Sequence, residues 1–170
     1  QVSFNDVEGN DGCGYNPDTD APGPIAIVQN EWTHLALSYD GEYSYFFVNG
    51  ELISSKECDI GLIGDSNSSI DINYHTWGNY SSSSSRLSGQ IDEMRISDVC
   101  RYNSDFVPPN YEFIMDDNTV GLWHFNNNFY DFSGNQNHGV HNGTSFSNNT
   151  PIKEYQEDIY GCTDPLAENY

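Results

Sequence analysis

Segment 130–144, YDFSGNQNHGVHNGT, concentrates oxygen-bearing side chains between glycines. Its Asp131 carboxylate is followed by Ser133, Asn135 and Asn137, and the glycines let the backbone direct carbonyl groups inward. Calcium prefers six to eight oxygen ligands, including carboxylates, amide oxygens and main-chain carbonyls of irregular turns. The segment is therefore a candidate calcium site. The alternative is that Asp131 and Ser133 only cap a turn between two strands.

The sequence gives little support for a zinc site, an EF-hand or a common catalytic motif. The histidines are scattered, and the nearest pair, His138 and His141, lacks a following cysteine or carboxylate to complete a zinc site. We therefore expect the histidines at the surface or at the edge of the core. Segment 11–20, DGCGYNPDTD, is acidic but lacks the ligand positions of an EF-hand. The sequence contains no GxSxG elbow, HExxH pair or phosphate-binding glycine loop.

Three aromatic residues are candidates for binding a sugar. Trp77 and Tyr80 lie at the start of the serine-rich segment WGNYSSSSS, and Tyr74 precedes them. Sandwich lectins use exposed aromatic rings, which stack on sugar faces beside polar loop groups. The alternative for Trp77 is ordinary packing at the edge of a sheet.

The charge of the chain limits its partners. Its 170 residues include 26 acidic and 5 basic side chains, for a formal net charge of −21. Such a surface repels nucleic-acid phosphates and anionic membranes, so neither is an expected partner. No apolar run is long enough to insert into a bilayer.

The cysteines indicate the compartment. Cys13, Cys58, Cys100 and Cys162 form no CxxC pair, so a zinc site is not expected. An even number of cysteines favours disulfides in an oxidising compartment, and three pairings are compatible with the sequence. We therefore expect a secreted or cell-surface location.

The elements that position these residues are β-strands. Tyr, Phe and Trp are abundant, and Ser, Asn, Asp and Gly fill the intervals between apolar runs. Segment 32–53 contains apolar and aromatic runs with turns at Asp40-Gly41 and Asn49-Gly50, and predicts a β-meander. Alternation places four of its residues in the core: Leu35, Leu37, Phe46 and Val48.

Further strands are predicted at 59–64, 69–77, 87–97 and 118–125. Strands of this length, joined by regularly spaced turn signals, are typical of an antiparallel sandwich. No βαβ alternation is present, which excludes a parallel α/β fold. The sequence therefore predicts an all-β fold.

Three segments resemble the laminin-G-like, concanavalin A-type jelly-roll family of extracellular proteins. They are EWTHLALSYDGEYSYFFVNGELI, LSGQIDEMRIS followed by RYNSDFVPP, and NTVGLWHFNNNFYDFSGNQNHG, and they cover roughly residues 30–142. The resemblance implies an antiparallel two-sheet jelly-roll sandwich. In the family the SGNQNHG type of block usually comes near the N-terminus and the IDEMRI type near the C-terminus. Here the order is reversed.

The reversed order has two explanations. Either the C-terminal strands close the same sandwich in a permuted strand order, or the chain straddles two successive domains. We favour one sandwich over residues 1–150, because 170 residues leave room for one complete sandwich and not two. Residues 151–170 are then an acidic tail, whose end, GCTDPLAENY, resembles the start of a cysteine-containing repeat of large secreted proteins.

The resemblance also implies site residues. Carried over position by position, the calcium site of the family implicates Asp131, Asn135, Asn137 and Asp92. Some concanavalin-type sandwiches are glycoside hydrolases, and Gln90 and Arg95 occupy the positions of their two catalytic glutamates. A carboxamide is no nucleophile here, and a guanidinium does not act as a general acid near neutral pH, which disfavours hydrolysis.

These features together predict a non-catalytic, calcium-stabilised module for binding or adhesion within a larger secreted or surface protein. Its expected partner is a glycan or a surface protein, recognised by loops on a rigid sandwich. A second hypothesis is a structural spacer or filament subunit that binds only neighbouring domains or subunits. A glycoside hydrolase is the third hypothesis.

Overall fold

The structure, a computed structural model, describes residues 2–5, 11–15, 28–58, 70, 88–141 and 143–152. These residues form seven strands and no helix, and the strands pair antiparallel in sheets β1–β2, β3–β4–β5 and β6–β7. The strands are β1 (Val2–Asn5), β2 (Asp11–Tyr15), β3 (Leu35–Tyr39), β4 (Tyr43–Val48), β5 (Glu51–Glu57), β6 (Met94–Ser97) and β7 (Thr119–Trp123). The predicted all-β, antiparallel fold class is confirmed.

The meander predicted at 32–53 is confirmed as β3, β4 and β5, and its turns explain why. Gly41 has φ of 104°, and Asp40 Oδ1 accepts the backbone N–H groups that follow the turn. Asn49 and Gly50 both have positive φ, at 51° and 83°, as a two-residue hairpin turn matched to the strand twist requires. Asn49 also accepts the backbone N–H of His34 through Oδ1, at 2.9 Å.

The core of the meander differs from the alternating pattern. Phe46 is buried as predicted, and Leu37 and Val48 are half-buried, but the prediction for Leu35 is wrong because 49% of its surface is exposed. Leu35 lies at the end of the ladder, opposite Val48, where solvent reaches it. Phe47, which alternation assigns to the solvent face, is fully buried. Both faces of β4 are therefore covered, so a rule that assumes one solvated face fails.

Residues 98–110 cover one face of β4. Phe47 meets the ring of Phe106 edge-on at a centroid distance of 5.3 Å, and Tyr102 stacks on Phe106 at 3.6 Å. Phe106 N donates to Gly50 O at 2.9 Å. A Cβ at Gly50 would lie 2.0 Å from Phe106 O, so the close approach of the two backbones excludes any other residue there.

Strands β6 and β7 bring the second and third family-like segments together. Met94 pairs with Trp123 and Arg95 with Leu122. The strand predicted at 87–97 begins only at Met94, because Glu93 has a positive φ of 51° that is incompatible with an extended strand. The strand predicted at 118–125 is observed over Thr119–Trp123.

Two further strand predictions, at 59–64 and 69–77, lie outside the described residues apart from Ile70. The domain division at residue 150 stays a prediction. No helix among the described residues has the length and apolarity needed to cross a membrane.

The cysteines do not all pair. Cys100 carries a free thiol, which donates to the carbonyl of Tyr102 at 3.4 Å. With one of the four cysteines free, at most one disulfide forms within the chain. Cys58, directly after β5, is buried with 3% of its surface exposed.

Candidate functional site

Asp131 is the centre of the turn that follows β7. Its side chain is buried, with 6% of the residue surface exposed. Oδ1 accepts the backbone N–H groups of Leu122 and Ser133 at 3.0 and 2.8 Å, and Oδ2 accepts that of Asn137 at 2.9 Å. Burial acts to raise the pKa of Asp131, but the hydrogen bonds from Ser133, Leu122 and Asn137 outweigh it and hold the pKa below its ordinary value. The carboxylate is therefore ionised and ties three separate parts of the backbone together.

The neighbouring polar side chains converge on one carbonyl, Val120 O. Asn135 Nδ2 and Asn137 Nδ2 donate to it at 2.9 and 3.3 Å, which fills its two lone pairs. The Ser133 hydroxyl, 2.9 Å from both Val120 O and Asp131 Oδ2, then donates its single proton to the carboxylate. Asp131 thus accepts two hydrogen bonds on each oxygen.

This arrangement bears on the predicted calcium ligands. Asp131, Asn135 and Asn137 do lie together around Val120, whereas Asp92 accepts a hydrogen bond from Thr150 Oγ1. Every lone pair of the Asp131 carboxylate already has a donor, as expected of a residue that caps a turn. The four-residue calcium site stays a prediction, and the geometry around Asp131 favours the turn-capping alternative.

The side chains of Trp123 and His138 also hold this turn in place. Trp123 Nε1 donates to Asn137 O at 3.0 Å, and His138 Nδ1 accepts the backbone N–H of Asp131 at 3.1 Å. The acceptor role fixes the proton of neutral His138 on Nε2. SGNQNHG is therefore a turn whose polar side chains bond mainly to the backbone of β7 and to Asp131.

The described histidines have structural partners. His34 packs edge-on against Phe106 and Phe113, and burial, with Arg95 nearby, lowers its pKa. Its Nδ1 is the one buried side-chain polar atom without a hydrogen-bond partner among the described residues. His141 stacks on Phe129 at 5.7 Å.

The predicted sugar-binding residues Trp77, Tyr80 and Tyr74 lie outside the described residues, so their role stays a prediction. The position of Gln90 is described: its Oε1 accepts a hydrogen bond from Asn149 Nδ2 at 2.7 Å. Neither Gln90 nor Arg95 supplies a carboxylate, as the sequence already showed.

A cleft that sequence reasoning missed lies beside β6. It has a volume of about 290 Å³ and is lined by Arg95, Tyr102, Val107, Pro109, Tyr111, Phe113 and Ile114. The Arg95 guanidinium carbon lies 4.5 Å from the centre of the Phe113 ring, and Arg95 Nη2 donates weakly to the Tyr102 hydroxyl at 3.4 Å. Burial, followed by repulsion from Arg101, lowers the pKa of Arg95, which nevertheless stays charged near neutral pH.

The cleft combines apolar rings with a partly desolvated cation. Val107 is 91% exposed, and Tyr111 and Ile114 are 44% and 52% exposed. Such a surface can stack on a flat partner while the guanidinium donates hydrogen bonds. The segment 107–114 shows no strand or helix periodicity, so only the proline pair and its density of apolar residues marked it in the sequence.

Comparison with known proteins adds one finding. A family model described as the concanavalin A-like lectin/glucanases superfamily matches residues 4–105. A search of the curated proteins and a search of the solved structures each found no match. The matched span includes β2 to β6 and ends before β7 and the Asp131 turn.

Proposed function

The chain belongs to the concanavalin A-like lectin/glucanases superfamily, and we propose that it is a non-catalytic binding module of an exported protein, with a glycan as partner. The observation that supports this most is the cleft beside β6. There the half-exposed Tyr111 and the Arg95–Phe113 pair border one depression. A sugar needs an aromatic face and hydrogen-bond donors beside it, and this cleft offers both.

The residues at the catalytic positions of related hydrolases support a role without catalysis. Gln90 bonds Asn149, and Arg95 lies over Phe113, so neither is placed to attack a glycosidic carbon or to protonate a leaving group. We expect no hydrolysis of the glycans that the module binds.

Glycan-array screening followed by titration calorimetry tests the proposal. Tyr111→Ala removes an aromatic ring that lines the cleft and is expected to weaken binding about tenfold, equivalent to about 1.4 kcal/mol. Tyr130→Ala is the matched control, because Tyr130 is 61% exposed but is not among the residues that line the cleft. Unchanged affinity in Tyr111→Ala, or no glycan bound by the wild type, contradicts the proposal.

A second candidate function, binding to neighbouring domains or subunits, is favoured by exposed apolar side chains. Val107 and Ile114 both line the cleft and are 91% and 52% exposed, and Met115, next to Ile114, is 53% exposed. Apolar surface of this kind is common at protein–protein contacts. Light scattering over a range of concentrations separates the two functions, since a spacer or filament subunit associates and a glycan-binding monomer does not.

Calcium stabilisation by Asp131, Asn135, Asn137 and Asp92 is a separate proposal. A cation that binds only the folded state raises the melting temperature reversibly. We expect a rise at millimolar calcium that a chelator reverses. A melting temperature that does not respond to calcium removes calcium from the proposed function.

Export is supported by the placement of two cysteines, Cys13 and Cys58. Strand β2, which carries Cys13, packs against β5, and the buried Cys58 directly follows β5. We propose a Cys13–Cys58 disulfide, formed in an oxidising compartment. Peptide mapping without reduction tests it, and recovery of Cys13 and Cys58 in separate peptides rejects it.

A further inference from the structure

Three side chains with metal-binding atoms meet where β6 begins and β7 ends. Because Met94 pairs with Trp123, the residues just outside that pair, Glu93 and His124, lie across from each other. His124 Nδ1 is 2.9 and 3.0 Å from the two carboxylate oxygens of Glu93. One oxygen of Glu112 completes a group of three ligand atoms that all lie within 4.8 Å of one another.

Two of the three side chains, Glu93 and His124, are shielded from solvent. The Glu93 side chain is 5% exposed and that of His124 is 13% exposed. The ring of Phe132 packs against the imidazole at a centroid distance of 4.8 Å. Two carboxylates and one imidazole in such surroundings carry excess negative charge, which a divalent cation would balance.

Each carboxylate is oriented by a partner outside the cluster. Phe113 N donates to Glu93 Oε2 at 3.0 Å, and Asn126 Nδ2 donates to Glu112 Oε1. Such outer bonds orient metal ligands and strengthen metal binding. Glu93 Oε1 is bonded only by His124 among the described residues, so an ion can replace the shared proton between them.

We infer that Glu93, Glu112 and His124 form a binding site for a transition-metal cation, with Zn²⁺ as the best match. Zinc takes imidazole nitrogen and carboxylate oxygen together, whereas calcium prefers oxygen alone. Three protein ligands leave a fourth tetrahedral position for water. Zinc bonds of about 2.0–2.2 Å require ligand atoms about 3.4 Å apart, so Glu112 must move inward on binding.

The site is distinct from the predicted calcium residues and from the sugar-binding cleft, although Glu112 lies between Tyr111 and Phe113 of that cleft. A metal at Glu112 therefore fixes the backbone that carries the cleft aromatics. The inference does not depend on the glycan proposal.

Titration calorimetry of the chelator-treated 170-residue chain with ZnCl₂ tests the inference. The expected result is one zinc ion bound per chain and a higher melting temperature. Glu112→Gln removes a charged ligand but keeps an oxygen that accepts the hydrogen bond from Asn126 Nδ2, and it is expected to weaken zinc binding at least tenfold. His141→Gln is the matched control, because His141 lies on Phe129, and it is expected to bind zinc like the wild type.

Cobalt substitution identifies the donor atoms. Co²⁺ bound by Glu93, Glu112 and His124 shows weak d–d absorption without the intense charge-transfer band of a thiolate. A thiolate band assigns the ion to a cysteine and overturns the inference. So does the absence of stoichiometric zinc binding, or equal zinc affinity in Glu112→Gln and the wild type. His124→Gln provides a second ligand variant, checked for folding by circular dichroism.

Discussion

Removing the Asp131 carboxylate tests whether that residue serves the turn or a cation. Asp131→Ala takes away the acceptor of three backbone N–H groups and of the Ser133 hydroxyl. The N–H of Leu122 loses most, because Leu122 is only 1% exposed and water does not replace the lost acceptor. The N–H groups of Ser133 and Asn137 are nearer to solvent and find water more easily.

The magnitude follows from this difference in burial. A buried donor left without an acceptor costs about 1–3 kcal/mol, and each of the more exposed bonds contributes about 0.5–1 kcal/mol. Asp131→Ala is therefore expected to lower the free energy of unfolding by about 3 kcal/mol. For a chain of this size that is a fall in melting temperature of about 6–12 °C. Asp131→Asn keeps one acceptor oxygen and is expected to lose about half as much.

Urea denaturation followed by tryptophan fluorescence measures the change, in excess chelator and again in millimolar calcium. The turn-capping role predicts the same loss of stability in both buffers, because the hydrogen bonds need no ion. Asp117→Ala, at an exposed acidic position, is the control and should stay within about 0.5 kcal/mol of the wild type. A loss that appears only with calcium refutes the argument and identifies Asp131 as a metal ligand.

Three other predictions concern Gly50, the Arg101–Asp116 ion pair and Cys100. Gly50→Ala should be among the most destabilising single changes, because the new Cβ would meet the Phe106 carbonyl at a residue with positive φ; thermal melting measures it, and a near-normal melting temperature contradicts it. Arg101 holds the pKa of Asp116 below its ordinary value near 3.8, so the ion pair stabilises the fold above that pH and loses its effect as the pH falls towards the depressed pKa. The stability difference between wild type and Asp116→Asn should therefore be constant from pH 5 to pH 7 and shrink below about pH 4 in urea titrations; a constant difference at all pH values rejects the assignment. Burial raises the pKa of the Cys100 thiol, so iodoacetamide should modify it slowly in the native protein and rapidly after unfolding, as mass spectrometry would show; rapid native labelling contradicts its position.

Local features could be predicted because their causes lie close together in the chain. Asp40-Gly41 and Asn49-Gly50 determine their turns by backbone preference, and the meander follows from those turns and the aromatic runs between them. Part of the Asp131 turn is also local in sequence, because two of its backbone donors, Ser133 and Asn137, lie within six residues of Asp131. A turn with a capping carboxylate was one of the two interpretations that the sequence supported.

Residues whose neighbours are distant in the chain were not predictable in this way. Phe47 is buried because Phe106, which is distant in the chain, packs against it. Leu35 is exposed because it lies at the end of its strand pair, where solvent reaches it. The positive φ of Glu93 shortens β6 in a segment whose pattern favours a longer strand. Alternation gives the two faces of a strand but does not say which faces other segments cover.

The sequence by itself determined the all-β class, the hairpin turns, the acidic surface and the family-like blocks, because composition and short-range backbone preference are enough for each. Tertiary structure alone decided the β6–β7 pairing, and with it the meeting of Glu93 with His124 across 31 positions. It also decided the packing of Arg95 on Phe113. The physical reason is that strand register depends on the combined packing of side chains distant in sequence, whereas a turn depends on a few adjacent dihedral angles. The inferred zinc site depends on that register, whereas the cleft depends on how residues 107–114 pack against Arg95 of β6.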